Sequence, residues 1–203
     1  LAALPREQVR DIALYRPHPA RQEVLRVEES LDVTQGKLGM GFACGSDDYA
    51  AMMVGNTLFG GSSNSKLFMN VREKMSLCYY CSARFARHNS HIFIQCGCEE
   101  ENMDKAVAEI LHQLEIIRDG DCKAELESSR IAMIDALDGV ADTPNGLENW
   151  YAARLLDDDF RTPAQVAEET RSVTVEQLQE CAGRLSLDTV YRLVAEKEEV
   201  QAQ

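Results

Sequence analysis

Phe59-Gly60-Gly61-Ser62-Ser63-Asn64-Ser65-Lys66-Leu67-Phe68, with Val71-Arg72-Glu73-Lys74 and Leu77-Cys78-Tyr79 behind it, holds three changes of local structure. The paired glycines stop a helix. Ser63 or Ser65 is placed to cap a second helix, whose Leu67, Phe68, Val71 and Met75 recur at helical spacing. From Leu77 to Phe85 the pattern changes to that of a strand, and a partner strand over Ile92 to Cys98 follows polar His88-Asn89-Ser90, as in a hairpin.

Upstream, Val24 to Glu28 alternates apolar and polar residues as a half-buried strand does. Gly36 to Cys44 sets Leu38, Met40, Phe42 and Cys44 on one face, and Gly39 and Gly41 on the other would admit a close neighbour. Asp47-Asp48 then opens the helix that ends at Gly60-Gly61.

Downstream, Glu100 to Arg118 carries Met103, Val107, Ile110, Leu111, Leu114 and Ile117 on one stripe of a helix. A second helix covers Ala124 to about Leu137, a third starts at Pro144, and a fourth at Thr174, with Gln177 three residues on as in a capping box. Thr189 to Ala195 reads as a short terminal strand. The order β-β-α-α-β-β-α-α-α-α-β, with strands in adjacent pairs, predicts an α+β fold: a mixed, largely antiparallel sheet with helices packed on one face.

The composition narrows the function. With 21 Lys and Arg against 34 Asp and Glu, the net charge is −13, and no basic patch offsets it. Such a chain repels phosphate backbones, so no nucleic-acid partner is expected. Hydrophobic residues at 45% suffice for a core. The longest uncharged run, Tyr49 to Ser65, is too short and too polar at its end to span a bilayer, so no membrane partner is expected. Leu1 to Asp11 has no apolar core of a signal peptide. The odd count of seven cysteines reads as free thiols in a reducing compartment, so the expected location is cytoplasmic.

The motif from Phe59 to Tyr79 resembles the M16 metallopeptidases, the family of insulinase, pitrilysin and the mitochondrial processing peptidase. Their pattern is a Gly-rich turn, Ser-Arg-Leu-Phe, Leu/Val-Arg-Glu-Lys and, two residues on, Leu-x-Tyr. The resemblance implies the M16/LuxS-like metallohydrolase fold. It also implies two homologous halves that close around a peptide, the first holding zinc through His-x-x-Glu-His and a distal Glu. His18, His88, His91 and His112 lie in no such motif. The likeness is therefore to the second half, which lacks the zinc set: no catalytic residue, no metal ligand and no cofactor in this chain, with Zn expected only in a missing N-terminal half. Residues 1–20, punctuated by Pro5, Pro17 and Pro19, would be the connector from that half, and 21–203 one C-terminal-type domain. A first residue that is not Met fits a piece of a longer polypeptide.

By the same resemblance Arg72 and Tyr79 engage the substrate. A guanidinium offers forked donors to a carbonyl or carboxylate, and a phenol donates to a developing oxyanion. The loop Gly60, Gly61 and Ser62 would lie near the peptide. Expected partners are the N-terminal half, or a homologous M16 subunit, and a peptide substrate. The alternative is a catalytically dead scaffold that pairs with an active homologue. This sequence departs from the pattern at Lys66 for Arg, Met75-Ser76 for Arg-Gly, and Cys78 for a small residue.

Cys78-x-x-Cys81 and Cys96-x-Cys98 have spacings that superficially suit zinc. In an extended strand, however, Cys78 and Cys81 face opposite ways, which predicts packing residues and no metal. His88 and His91 are read as solvated hairpin-tip residues.

Overall fold

The computed structural model describes residues 19–155 and 159–196. All but the last two residues of the 1–20 connector lie outside them, as does most of the acidic run Asp157-Asp158-Asp159. Five strands form one sheet: β1 (Leu25–Leu31), β2 (Lys37–Cys44), β3 (Tyr80–Ala86), β4 (His91–Gly97) and β5 (Leu185–Ala195). The order is β1-β5-β2-β4-β3, with β1 parallel to β5 and every other pair antiparallel. This is the mixed, largely antiparallel sheet read from the sequence. The final strand differs from expectation, being the longest and lying inside the sheet between β1 and β2.

Alternation decides the layers. Leu38, Met40 and Phe42 of β2, Ile92, Ile94 and Cys96 of β4, and Cys81 and Ala83 of β3 are buried beneath the helices. The opposite face carries Leu25, Phe93 and Tyr80, all substantially exposed. Gly39 and Gly41 lie on that open face. A methyl group at Gly41 would meet only Thr189 at 3.8 Å, so no close neighbour requires a glycine there.

Helix α1 (Tyr49–Asn56) is capped by Asp48, whose carboxylate accepts from the Ala51 N–H at 3.0 Å, and continues as a π-wound turn over Thr57–Gly61. The glycines here do more than end a helix. A Cβ at Gly60 would stand 2.7 Å from both the Cβ and the N of Ala83, so a glycine lets this turn lie directly on β3. The π-helical segment Leu67–Lys74 follows, with the Ser65 hydroxyl accepting from the Phe68 N–H. The extra residue per turn shows at its end, where the Met75 N–H reaches the Asn70 carbonyl at 3.0 Å.

The remaining helices are α2 (Met103–Arg118), α3 (Lys123–Asp138), α4 (Pro144–Arg154), α5 (Pro163–Ser172) and α6 (Val175–Gly183). Helix α6 packs on α1 and α2, and α3 packs on α5. Helix α5 is absent from the sequence reading. Its signal is present: Thr162 and Gln165 form a reciprocal capping box, with Pro163 at the first position, as Thr174 and Gln177 do for α6.

The π-helical segment ends at Ser76, which has φ of +52°, in the region where an L side chain costs about 1–2 kcal/mol. This is the position at which the family pattern has Gly. Ser76→Gly is expected to stabilise the fold by about 1 kcal/mol, part of the relief being offset by added freedom in the unfolded chain. Urea unfolding of the two forms checks it; an unchanged or lower midpoint would contradict the strain.

Candidate functional site

Ser76 turns the chain from the π-helical segment into β3, and the Leu77 N–H returns to the Val71 carbonyl at 3.0 Å. That turn sets Arg72 beside Tyr79. The Arg72 Nε donates to the Tyr79 carbonyl at 2.8 Å, Nη1 lies 3.1 Å from a Glu73 carboxylate oxygen, and the guanidinium stands 4.6 Å from the Phe68 ring centroid. Tyr79 is 55% exposed. Its phenol donates to the Glu99 carboxylate, and that bond, with the carboxylate charge, raises the phenol pKa above its ordinary value.

All five residues singled out from the sequence come together. Gly60, Gly61, Ser62, Phe68, Arg72 and Tyr79 line one open groove beside the start of β3. Arg72 and Tyr79 also border a second depression, together with Glu73, Cys78 and Glu99. Arg72 keeps further guanidinium N–H donors suited to main-chain carbonyls of a peptide laid along the groove, whereas the Tyr79 phenol proton is given to Glu99. Gly60 itself is buried under β3, so its part in the groove is to shape the floor.

Glu99 was not legible as a site residue, lying in an unremarkable run of three acids. The hairpin register is what finds it: Tyr80 pairs with Gly97, so residues just after β4 stand beside those just before β3. Glu99→Gln is expected to lower the Tyr79 phenol pKa back toward the ordinary phenol range. Site-labelled tyrosine NMR titration checks this, and an unmoved curve would detach Glu99 from the phenol.

The same register corrects the reading of the cysteines. Tyr79 N–H bonds to the Gly97 carbonyl at 2.8 Å, but the strand register begins only at Tyr80, so Cys78 lies in the turn before β3. Strand alternation therefore does not relate Cys78 to Cys81. The Cys78 and Cys98 thiols are shifted down and the Cys81 and Cys96 thiols up by their interaction with one another. The Cys81 and Cys96 donors, with the Arg72 charge, bring the Cys78 thiol down to about 4, against its partial burial. Cys81 and Cys96 are pushed up, above all by the neighbouring Cys78.

The residues present do not make a zinc site. Among the described residues no group of three or more His, Cys, Asp or Glu converges as a metal requires. Nor is any helix there long and apolar enough to cross a membrane.

The comparisons with known proteins agree with the fold. Residues 3–133 match the family model described as the peptidase M16 inactive domain. This chain belongs to the M16 peptidase family. Over 167 residues the M16 chain is 31% identical to the "Probable inactive metalloprotease YmfF" of Bacillus subtilis (strain 168), covering 80% of the chain and 39% of that protein. A conserved protein from Enterococcus faecalis V583 superimposes with a TM-score of 0.82 at 29% identity, over 91% of this chain and 45% of that one. A protease from Helicobacter pylori shares the fold, with a TM-score of 0.80 at 18% identity, over 95% and 49% of the two chains. The chain thus spans less than half the length of each of these relatives.

Proposed function

We propose that this M16 domain is the non-catalytic wall of a two-half peptide-binding chamber, with Arg72 and Tyr79 as the residues that hold an extended peptide. One observation carries the reading: the five residues named from the family motif line a single open groove beside edge strand β3. The catalytic zinc would be held by the other half, which lies outside this chain. Residues 21–203 would form one body, with the preceding residues leading in from the first half.

The open sheet face supports a second body. By register, Leu25 and Val27 of β1, Leu193 of β5, Phe93 of β4 and Tyr80 of β3 share the face that no described helix covers. Apolar surface of that kind is ordinarily covered by another folded unit. The acidic charge balance favours neutral or basic peptides.

The name of the Bacillus relative favours a second reading, in which the protein is a scaffold that presents peptide to an active homologous subunit. Fluorescence anisotropy with unstructured neutral and basic peptides on the full-length protein tests the groove in both readings. Binding weakened by Arg72→Ala supports it; binding indifferent to that change removes it. Peptide cleavage by the full-length protein without a second subunit decides against the scaffold.

A further inference from the structure

Arg72 takes its aim from the winding of the segment that carries it. The carbonyls of Asn70, Val71 and Arg72 accept the N–H groups of Met75, Leu77 and Ser76, at 3.0, 3.0 and 3.1 Å. The turn that delivers Tyr79 therefore hangs on consecutive residues of Leu67–Lys74. A π-helical winding is wider than an α-helix and much rarer, so it needs a hold of its own. Asn70 supplies one. Its side-chain Nδ2 donates to the Lys66 carbonyl at 2.9 Å, the acceptor that the Asn70 main-chain N–H would take in an α-helix. The second proton of that amide goes to Oε1 of Gln113 on α2, at 3.1 Å. Gln113 is only 3% exposed, and its own Nε2 donates to a Glu109 carboxylate oxygen at 2.7 Å, one turn back on α2. A buried amide with both ends bonded keeps its place, because pulling it from its partners strands polar atoms away from water.

We propose that Asn70 and Gln113 are positioning residues for the groove: they hold the segment in its wide winding and so keep the Arg72 Nε on the Tyr79 carbonyl, with the rest of the guanidinium turned to the groove. The inference rests on the peptide reading for what Arg72 does, but not for where Arg72 points. Neither Asn70 nor Gln113 lines the groove or the depression beside it. Asn70 reaches inward to α2, while Arg72, two positions on, reaches the start of β3. Without the Asn70 tie the segment is free to tighten into an α-helix, in which each residue turns about 100°. The Asn70 carbonyl then takes the Lys74 N–H in place of that of Met75, which slips the turn by one residue and draws the Arg72 fork off the Tyr79 carbonyl. The start of the segment stays pinned throughout, since Lys66 keeps its bond to Glu125 on α3. The effect is thus confined to the part that carries Arg72.

The test uses the full-length protein with Asn70→Ala and with Gln113→Met, which conserves volume while removing the amide. The first readout needs no peptide: hydrogen exchange of the Arg72 Nε–H, followed by heteronuclear NMR in mildly acidic buffer. Both variants are expected to quicken that exchange about fivefold or more, the scale of one lost hydrogen bond, while the backbone amides of β4 keep their protection. The second readout is anisotropy with a neutral unstructured peptide. Each variant should weaken binding about fivefold on the same scale, and should add nothing once Arg72 is already alanine. Where Asn70→Ala folds poorly, Gln113→Met carries both readouts. An Arg72 exchange rate that stays at the wild-type value overturns the proposal. So does a loss of affinity that persists in the Arg72→Ala background, since that marks a general loosening. Quickened Arg72 exchange with peptide binding indifferent to Arg72→Ala supports the positioning of Arg72 and removes the peptide reading instead.

Discussion

Arg72→Ala in the full-length protein is expected to weaken capture of an extended peptide about 30-fold. A hydrogen bond to a charged group contributes roughly 1.5–3 kcal/mol, which is about 10- to 150-fold in affinity. The Arg72 guanidinium is anchored at one edge by the Tyr79 carbonyl and over the Phe68 ring, so it meets a ligand with little ordering cost. Alanine removes the donors and that anchor together. Arg72→Lys separates the two, since it keeps the charge without the planar fork, and should fall between. Tyr79→Phe removes a neutral donor already engaged with Glu99 and should cost only a few-fold. Anisotropy titrations give the affinities, and circular dichroism shows that the fold is kept. Wild-type affinity in a folded Arg72→Ala protein would exclude this side chain from the site.

Glu125→Ala is expected to destabilise the fold by about 2 kcal/mol. Lys66, which stands where the family pattern has Arg, is only 5% exposed and places Nζ 2.7 Å from a Glu125 carboxylate oxygen of α3. Removing one partner of a fully buried ion pair costs about 3–5 kcal/mol, because the other charge stays desolvated. The Glu125 side chain is 33% exposed, so water already shares the pair and the lower figure applies. In a domain of this size the loss lowers the melting temperature by about 4–8 °C. The discriminating measurement is the double change. Lys66→Met with Glu125→Ala leaves no stranded ammonium and should recover much of the loss. A Glu125→Ala protein that melts with the wild type would mean that the ammonium is solvated after all.

How much of this was readable from the chain depends on the range of the forces involved. Helix starts are local: Asp48, Thr162 and Thr174 cap through hydrogen bonds to residues three positions on, so the signals lie in adjacent letters. The alternation of Leu38, Met40 and Phe42 likewise announced a strand with one buried face. The M16 motif identified Arg72 and Tyr79, seven residues apart and joined by one turn, before any distance was known.

Local pattern determined where most elements begin, which faces are apolar and which family the chain resembles. Only the tertiary structure decided that Gly60 is a contact with Ala83, that Glu99 holds the Tyr79 phenol, and that β3 begins only at Tyr80, leaving Cys78 in the turn before it. Each of those depends on which residue of one strand stands opposite which residue of another. A one-residue slip in that pairing turns every side chain to the other face. Periodicity along one strand carries no record of its partner's register, so these facts exist only once the strands have paired.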